Sequence, residues 1–160
     1  KDIGINGWAI ESRIYAEGPF RNFMPAIGRL SLYRPPAEAK HEDGSLTRND
    51  TGVTEGDTIS IYYDPMIAKL CSWAPDRNAA IRRMQLALDD FTMRGIGHNL
   101  PFLSAVMEHD RFISGAISTA FIDEEYQNGF TGVAASPERR SEASRPAKTV
   151  WAVPPIRACG

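Results

Sequence analysis

The sequence lacks the short motifs that mark several common classes of enzyme. It contains no glycine-rich phosphate-binding loop, no CxxC pair, no GxSxG nucleophile motif and no HExxH zinc motif. The three histidines, His41, His98 and His109, are scattered over predicted loops and helix ends, and we interpret them as ordinary surface residues without a shared metal site. The sequence therefore predicts neither a metal centre nor catalysis by this chain alone.

Long apolar runs and clustered positive charge are also missing. No stretch reaches the roughly 18 apolar residues of a membrane-spanning helix, and the first residues, KDIGINGW, lack the charged-then-apolar layout of a secretory signal. The 18 basic and 20 acidic side chains give a formal net charge of -2, whereas phosphate backbones are bound by clustered positive charge. We expect neither a membrane nor a nucleic acid as a partner.

Cysteine is scarce, and the chain has room for only one domain. Cys71 and Cys159 lie far apart without metal-like spacing, which is typical of a protein in a reducing compartment. With 160 residues, 42% of them apolar, the chain can bury one hydrophobic core. We assign this domain to residues 1–130 and interpret residues 131–160, rich in alanine, serine, proline and arginine, as an irregular, disordered tail or linker. The missing initiator methionine suggests a fragment.

Alternating side chains predict a first strand over residues 8–16. Its two faces carry Trp8, Ile10 and Ser12, and Ala9, Glu11, Arg13 and Tyr15, respectively. Further strands are predicted over residues 27–36, near Leu46 within a polar loop spanning 37–57, over 57–63, and over 66–73 after Pro65.

Helical periodicity begins after Asp76, which is placed to cap a helix that starts near Arg77. Apolar residues recur on one face of this helix at Ile81, Met84, Leu88 and Phe91. After a short strand in FTMRGIGH, Asn99 is expected to cap a second helix, and Thr119 a short last helix over residues 119–126. The pattern predicts an α+β fold with two substantial helices and mainly antiparallel strands.

Three polar residues in or beside the predicted strands have both a structural and a functional interpretation. From the pattern alone, Arg13 is an edge residue that faces water or one member of an ion pair. Asp64, before Pro65, can accept a backbone hydrogen bond in a turn, and Lys69 can point outward from its strand. The pattern alone favours these structural interpretations.

Several motifs in register resemble the C-terminal subdomain of biotin carboxylase. They are ESRIYAEGPFRNFMPAIGRL, RNDTGVTEGDTISIYYDPMIAKL, DRNAAIRRMQLALDDFTMRGIGHNLPFL and FIDEEYQNGF, and they cover roughly residues 5–130. Within the biotin-dependent acyl-CoA carboxylases, the sequence is most similar to alpha chains that act on propionyl-CoA. The resemblance implies the small barrel-sandwich hybrid fold of this subdomain.

The resemblance also implies a part in an ATP-dependent ligase. In this family, ATP and bicarbonate form carboxyphosphate, and the ureido nitrogen of biotin on a carrier domain is then carboxylated. The implied partners are the ATP-grasp region of the same enzyme, the biotin carrier domain and a carboxyltransferase beta chain, with self-association left open. ATP and magnesium would bind outside this chain. The implied location is the cytoplasm of a bacterium or the mitochondrial matrix of a eukaryote.

Four residues receive a site role through the resemblance. Arg13, in ESRIYAE, matches the family arginine that stabilises negative charge on the ureido oxygen of biotin, for which a permanently charged guanidinium is suited. Asp64 and Tyr63, in YYDPM, are expected to line the biotin pocket, with Asp64 orienting Arg13 or biotin through hydrogen bonds. Glu11 is expected to hold the guanidinium of Arg13 in place.

The sequence departs from the family pattern at two places. Gly18 stands where the family usually has aspartate, which removes a turn-capping hydrogen bond of about 0.5 to 2 kcal/mol. The tail does not resemble the family's continuation, so we hypothesise a truncated or frameshifted product. Two alternatives to a catalytic fragment stay open: a docking or self-association module without a catalytic contribution, and an inactive remnant of a truncated gene.

Overall fold

The computed structural model describes residues 4–60, 62 and 64–132. The strands in this part of the chain are β1 (Trp8–Tyr15), β2 (Glu17–Gly18), β3 (Met24–Pro25), β4 (Gly28–Arg29), β5 (Leu32–Arg34), β6 (Ala39–Lys40), β7 (Leu46–Thr51), β8 (Thr58–Ile59), β9 (Met66–Ala74) and β10 (Thr92–Arg94). The α-helices are α1 (Arg77–Asp89), α2 (Leu100–Glu108), α3 (Asp110–Ser114) and α4 (Phe121–Glu125), and a short 3-10 helix spans Pro19–Arg21.

The largest sheet has four strands in the order β1, β9, β7, β6, and all of its neighbours are antiparallel. The long ladder between β1 and β9 runs from Trp8 opposite Ala74 to Tyr15 opposite Met66, with a register shift between Ile14 and Tyr15. Three two-stranded pairs surround this sheet: β10 with β5, β2 with β3, and β4 with β8. Because β1 is at the end of the sheet, its outer edge is open to contacts from other elements.

One face of the large sheet packs against α1 and forms the core. Ile14 on β1, Leu70 on β9 and Met84 on α1 are all completely buried. The Ser72 hydroxyl donates a hydrogen bond of 2.9 Å to the carbonyl of Ala80, which ties β9 to α1. Since side chains alternate along a strand, the residues between these core positions lie on the opposite, outer face of the sheet.

The prediction of an α+β fold with mainly antiparallel strands and two substantial helices is confirmed. The first strand and the helix after Asp76 lie where the periodicity placed them. The carboxylate of Asp76 accepts a hydrogen bond of 2.8 Å from the amide of Ala79, as expected of a helix cap. The side chains of β1 follow the two-residue period of a strand, and the apolar residues of α1 follow the 3.6-residue period of a helix.

The single strand predicted over residues 27–36 is wrong, because the chain changes partners in the middle of this stretch. Gly28–Arg29 pairs with β8, whereas Leu32–Arg34 pairs with β10. Between them, the amide of Leu30 donates to the carbonyl of Asp57, and the amide of Ser31 donates to Arg94. Two short strands in two different pairs therefore replace one long strand.

The segment predicted as a loop over residues 37–57 contains more strand than expected. β6 and β7 form a hairpin, and β7 is a six-residue central strand of the large sheet. Its core-facing side chains include Thr47 and Asn49, which are polar although they are buried. Buried and exposed residues therefore alternate along β7 although the buried ones are polar as well. A prediction based on hydrophobic residues misses most of this strand. The strand expected over residues 57–63 is described only at Thr58–Ile59.

Two predicted helix caps are wrong. Asn99 precedes α2, but its side chain makes no capping hydrogen bond with this helix. The last helix begins at Phe121, and the amide of Ala120 before it is bound by the hydroxyl of Ser118 instead of Thr119. The short helix α3 was not predicted. The tail interpretation falls mostly on residues 133–160, which lie outside the described residues. No helix in the described part of the chain is long and apolar enough to cross a membrane.

Candidate functional site

Arg13 lies on the outer face of β1, in the middle of the ladder with β9. Its neighbours Ser12 and Ile14 are buried, so the alternation of the strand directs Arg13 away from the core. The side chain is 58% exposed, and its Nε atom donates a hydrogen bond of 3.0 Å to Oε1 of Glu11. The structure thus joins two of the predicted site residues in one ion pair on a rigid strand.

The surroundings of Arg13 favour its charged form. Hydrogen bonding with Glu11, and then with the side chain of Tyr15, raises the pKa of the Arg13 guanidinium. A group that is always protonated can interact with developing negative charge without first gaining a proton. At this position of the sheet, Arg13 is therefore a fixed positive charge presented to whatever approaches the outer face.

Other charged residues share the outer face of the sheet with this pair. Arg13 is directly opposite Lys69 on β9, and Lys69 is opposite Asp50 on β7. Arg48 and Asp50 form an ion pair with 2.5 Å between Nη2 and Oδ2, two residues apart as Arg13 and Glu11 are. The outer face therefore carries two arginine–carboxylate pairs of the same kind on different strands.

Asp64 lies just beyond the end of the same ladder at which Tyr15 is opposite Met66. Its Oδ1 accepts a hydrogen bond of 3.0 Å from the amide of Met66, which holds the turn into β9. The amide of Ala16 donates to the carbonyl of Pro65, so Asp64 lies beside the end of β1. The structure therefore shows Asp64 bound to the backbone of its own turn, beside the end of β1.

Glu17 is a neighbour of Asp64 that sequence reasoning missed. Burial is the main reason that the pKa of Glu17 is raised, and the charge of Asp64 raises it further. The two carboxylates therefore share one region at the end of the ladder. The only sequence signal for this pair is that each residue directly follows a predicted strand. Tyr63, the remaining predicted site residue, lies outside the described residues.

The histidines do not gather at one site. His41 Nε2 lies 2.9 Å from the hydroxyl of Thr47, and His109 Nε2 lies 3.2 Å from the carboxylate of Glu125. His98 is half-buried and its Nδ1 atom is shielded from water, so it is less exposed than the predicted surface position, and this burial lowers its pKa. Among residues 4–60, 62 and 64–132, no group of three or more His, Cys, Asp or Glu side chains could hold a metal ion.

Asn99 is a second residue whose contacts the sequence did not reveal. It is buried, and its side chain bonds to the backbone of β1, 84 and 86 residues away along the chain. An asparagine just before Leu100 and Pro101 has the pattern of a helix cap, and no local signal distinguishes that role from a long-range contact.

A groove of about 590 Å³ lies elsewhere on the surface. It is lined by residues 19–22 and 127–131, including the aromatic rings of Phe20 and Phe130, whose centroids are 5.2 Å apart. None of the predicted site residues lines this groove. The groove and the Arg13 face are therefore separate features.

The chain is similar to a known protein family and to several of its members. The family model of the biotin carboxylase C-terminal domain matches residues 11–124. Over 146 residues the chain is 58% identical to a propionyl-CoA carboxylase alpha chain of Ruegeria pomeroyi, a match that covers 82% of this chain and 21% of that protein. It is 48% identical over 132 residues to the mitochondrial propionyl-CoA carboxylase alpha chain of Homo sapiens, covering 82% of this chain and 17% of that protein. The chain thus spans about a fifth of the length of these relatives.

Solved structures give the same result. The biotin carboxylase domain of a thermophilic 2-oxoglutarate carboxylase bound to bicarbonate matches with a TM-score of 0.70 and 34% identity, covering 76% of this chain and 26% of that one. A complete multifunctional pyruvate carboxylase from Rhizobium etli matches with a TM-score of 0.69 and 40% identity, covering 76% of this chain and 12% of that one. These matches confirm the resemblance of the strand and helix arrangement.

Proposed function

Because this chain belongs to the family of biotin carboxylase C-terminal domains, we propose that it forms one wall of an active site where carrier-bound biotin is carboxylated. The observation that supports this proposal is the position of Arg13. It is a permanently charged, exposed side chain on a rigid sheet, and a carboxylate holds it by one edge. In this proposal the chain works within a longer carboxylase subunit and does not turn over alone.

Arg13 would act on the charge that the reaction creates. Deprotonation of the ureido group places negative charge on its oxygen, and a guanidinium already in position stabilises this charge with little reorganisation. The Arg13 side chain fits such an oxygen, because it is exposed and carries several N–H donors in one plane. Biotin supplies the nucleophilic nitrogen. The residues of this chain would bind and orient biotin and stabilise the negative charge on its ureido oxygen.

Glu11 would hold the direction of the Arg13 guanidinium. The pair is exposed on the strand surface, where ion pairs contribute little to folding. Its value would therefore be geometric, because Glu11 binds Nε and favours one orientation of the side chain. Asp64 would shape the rim of the biotin pocket through its turn, with Tyr63 beside it, and its hydrogen bond with the Met66 amide supports this role.

ATP and magnesium would be bound by a part of the longer protein that lies outside this chain. Exposed apolar side chains support the presence of such a neighbouring part: Phe20, Met24, Ile27 and Tyr62 are each more than half exposed. We propose that this apolar surface packs against the ATP-grasp region. The carrier domain, a carboxyltransferase beta chain and a second copy of the chain are the further proposed partners, and propionyl-CoA is the proposed acyl acceptor.

The location follows from the same proposal. The curated relatives include a bacterial protein and mitochondrial proteins. The proposed location is accordingly the cytoplasm if the source is a bacterium and the mitochondrial matrix if it is a eukaryote.

The test is Arg13→Ala in a full-length carboxylase subunit that carries this segment. Loss of a preorganised group that stabilises developing charge lowers the rate by about 10²- to 10³-fold. We expect a loss of this size in biotin carboxylation, while ATP cleavage in the absence of biotin and the KM for ATP stay unchanged. The measurement is steady-state kinetics of both reactions on the purified subunit.

Arg48→Ala is the matched control for this test. Arg48 is an exposed arginine on the same sheet face with the same type of carboxylate partner, and it should keep the biotin carboxylation rate near wild type. If Arg13→Ala also keeps near wild-type carboxylation, the catalytic proposal is wrong. A docking module without a catalytic contribution is then the better interpretation.

A further inference from the structure

Asn99 is joined to the segment around Arg13 by three hydrogen bonds. Its Oδ1 accepts from the amide of Tyr15 at 2.9 Å, and its Nδ2 donates to the carbonyl of Arg13 at 3.0 Å. The backbone amide of Asn99 also donates to the carbonyl of Tyr15, at 3.2 Å. Only 6% of Asn99 is exposed, so these bonds are largely shielded from water.

These bonds occupy the outer edge of β1. Residues two apart on a strand direct their backbone groups to the same edge, and Arg13 and Tyr15 are two apart. Asn99 therefore takes the place of a neighbouring strand for this short segment, on the edge of β1 that faces away from β9 and that pairs with no strand among the described residues. An amide side chain can do this because it carries both a donor and an acceptor, as the backbone does.

The contact occurs where the ladder with β9 is irregular. Ile14 is opposite Ala68 and Tyr15 is opposite Met66, so the register shifts between Ile14 and Tyr15 and the extra residue, Ile67, belongs to β9. A bulge of this kind disrupts the ladder locally, so β9 does not pair regularly with the end of β1. The conformation of the segment from Arg13 to Tyr15 is therefore not set by β9 alone, and Asn99 fixes it from the opposite edge.

Asn99 is itself anchored to a rigid element. The amide of Leu103 donates to the carbonyl of Asn99 at 3.0 Å, which places Asn99 at the start of α2. The next residues along this helix include Leu100 and Phe102, both buried. The contact thus connects a helix packed in the core with the backbone that carries the guanidinium.

We infer that Asn99 is a positioning residue for Arg13: its side-chain amide holds the β1 backbone on both sides of Ile14, where the register with β9 shifts, and so sets where the guanidinium points. This inference rests on the proposed role of Arg13 in biotin carboxylation. Asn99 does not touch the reacting atoms and acts through the strand. The side chain that the sequence predicts as a helix cap therefore serves the site.

The experiment uses Asn99→Ala and Asn99→Asp in a full-length carboxylase subunit, each alone and combined with Arg13→Ala. Asn99→Ala removes both side-chain bonds, whereas Asn99→Asp keeps the acceptor for Tyr15 and loses the donor for Arg13. We expect about a tenfold lower kcat for biotin carboxylation in both single variants, with an unchanged KM for ATP and unchanged ATP cleavage without biotin. In the Arg13→Ala background, the Asn99 substitutions should lower the rate no further. Asn99 acts through Arg13 in this inference, so the effects of the two substitutions are not additive.

Ser72→Ala is the matched control for lost stability. It also removes one buried hydrogen bond next to the same sheet, but on the core side and away from the Arg13 edge. It should lower the thermal midpoint without changing kcat per folded molecule. A wild-type kcat in both Asn99 variants overturns the inference, and so does a full additional loss in the Arg13→Ala background. An unchanged rate for Arg13→Ala itself overturns the proposed function instead.

Discussion

Glu11 and Arg13 form an ion pair along one strand, with 3.0 Å between Oε1 and Nε and both side chains on the outer face of the sheet. Each of the two side chains is more than two-fifths exposed, so water and salt screen the interaction between their charges. Such a pair contributes little to the stability of the fold, so in the proposed function its contribution is to the direction of the guanidinium.

Glu11→Gln should lower the kcat of biotin carboxylation by about threefold, the size expected when a screened surface ion pair is lost. The reason is that a neutral amide holds the guanidinium less firmly in one orientation. The unfolding midpoint should not change measurably. Kinetics of the full-length subunit and a thermal melt of the same preparation measure the two quantities.

Asp50→Asn provides the comparison, because it neutralises the partner of Arg48 in the equivalent pair on β7. It should leave carboxylation unchanged. An effect of Asp50→Asn as large as that of Glu11→Gln would show that the net charge of the sheet face matters and the orientation of Arg13 does not.

The parts of the fold that the sequence predicted correctly are those in which local pattern and tertiary packing agree. Along β1 side chains alternate between the two faces of the sheet, and along α1 Ile81, Met84 and Leu88 recur at helical spacing and are buried in the core. β7 broke this agreement, because Thr47 and Asn49 are core-facing yet polar. Residues 27–36 broke it in another way, since the strand changes partners at Leu30 and Ser31 and no local pattern encodes a partner.

The candidate site was predictable to a similar extent. The pair of Glu11 and Arg13 follows from alternation, because residues two apart share a strand face. The expected role of Asp64 in orienting Arg13 or biotin depends on how two separate strands are placed, which a single sequence does not reveal, and it stays a prediction. Asn99 is a tertiary contact across more than 80 residues, which a single sequence does not reveal.

Glu17 gives a prediction for the dependence of stability on pH. The pKa of Glu17 is raised above its usual value of 4.5, first by burial and then by the charge of Asp64. The folded state therefore binds a proton more tightly than the unfolded state. The resulting stabilisation is fully present below about pH 4.5 and is lost as the pH rises through the folded-state pKa. Glu17→Gln should remove this loss, so the variant should gain stability over wild type between pH 5 and pH 7.

Urea denaturation at a series of pH values measures this difference. Glu55→Gln is the control of opposite sign, because a hydrogen bond from the backbone of Tyr33 lowers the pKa of Glu55. The Glu55 contribution is present above the usual carboxyl pKa and lost as the pH falls, so Glu55→Gln should lose stability at neutral pH. If Glu17→Gln also loses stability there, Glu17 makes a favourable contact as a carboxylate and the assigned cause of its pKa shift is wrong.

The exposed apolar surface around Phe20, Met24 and Ile27 predicts how the 160-residue chain behaves without a partner. These side chains are 60%, 56% and 63% exposed and lie close together in the sequence, and exposed apolar groups drive association when nothing covers them. The chain should therefore associate as its concentration rises, and Met24→Glu combined with Ile27→Glu should make it monomeric. Light scattering across a concentration series measures both.

Leu86→Glu places the same charge on an exposed apolar position of α1, away from this surface, and should leave association unchanged. A wild-type chain that stays monomeric at every concentration would contradict the proposal that this surface packs against another region of a carboxylase, because no uncovered interface would then be evident.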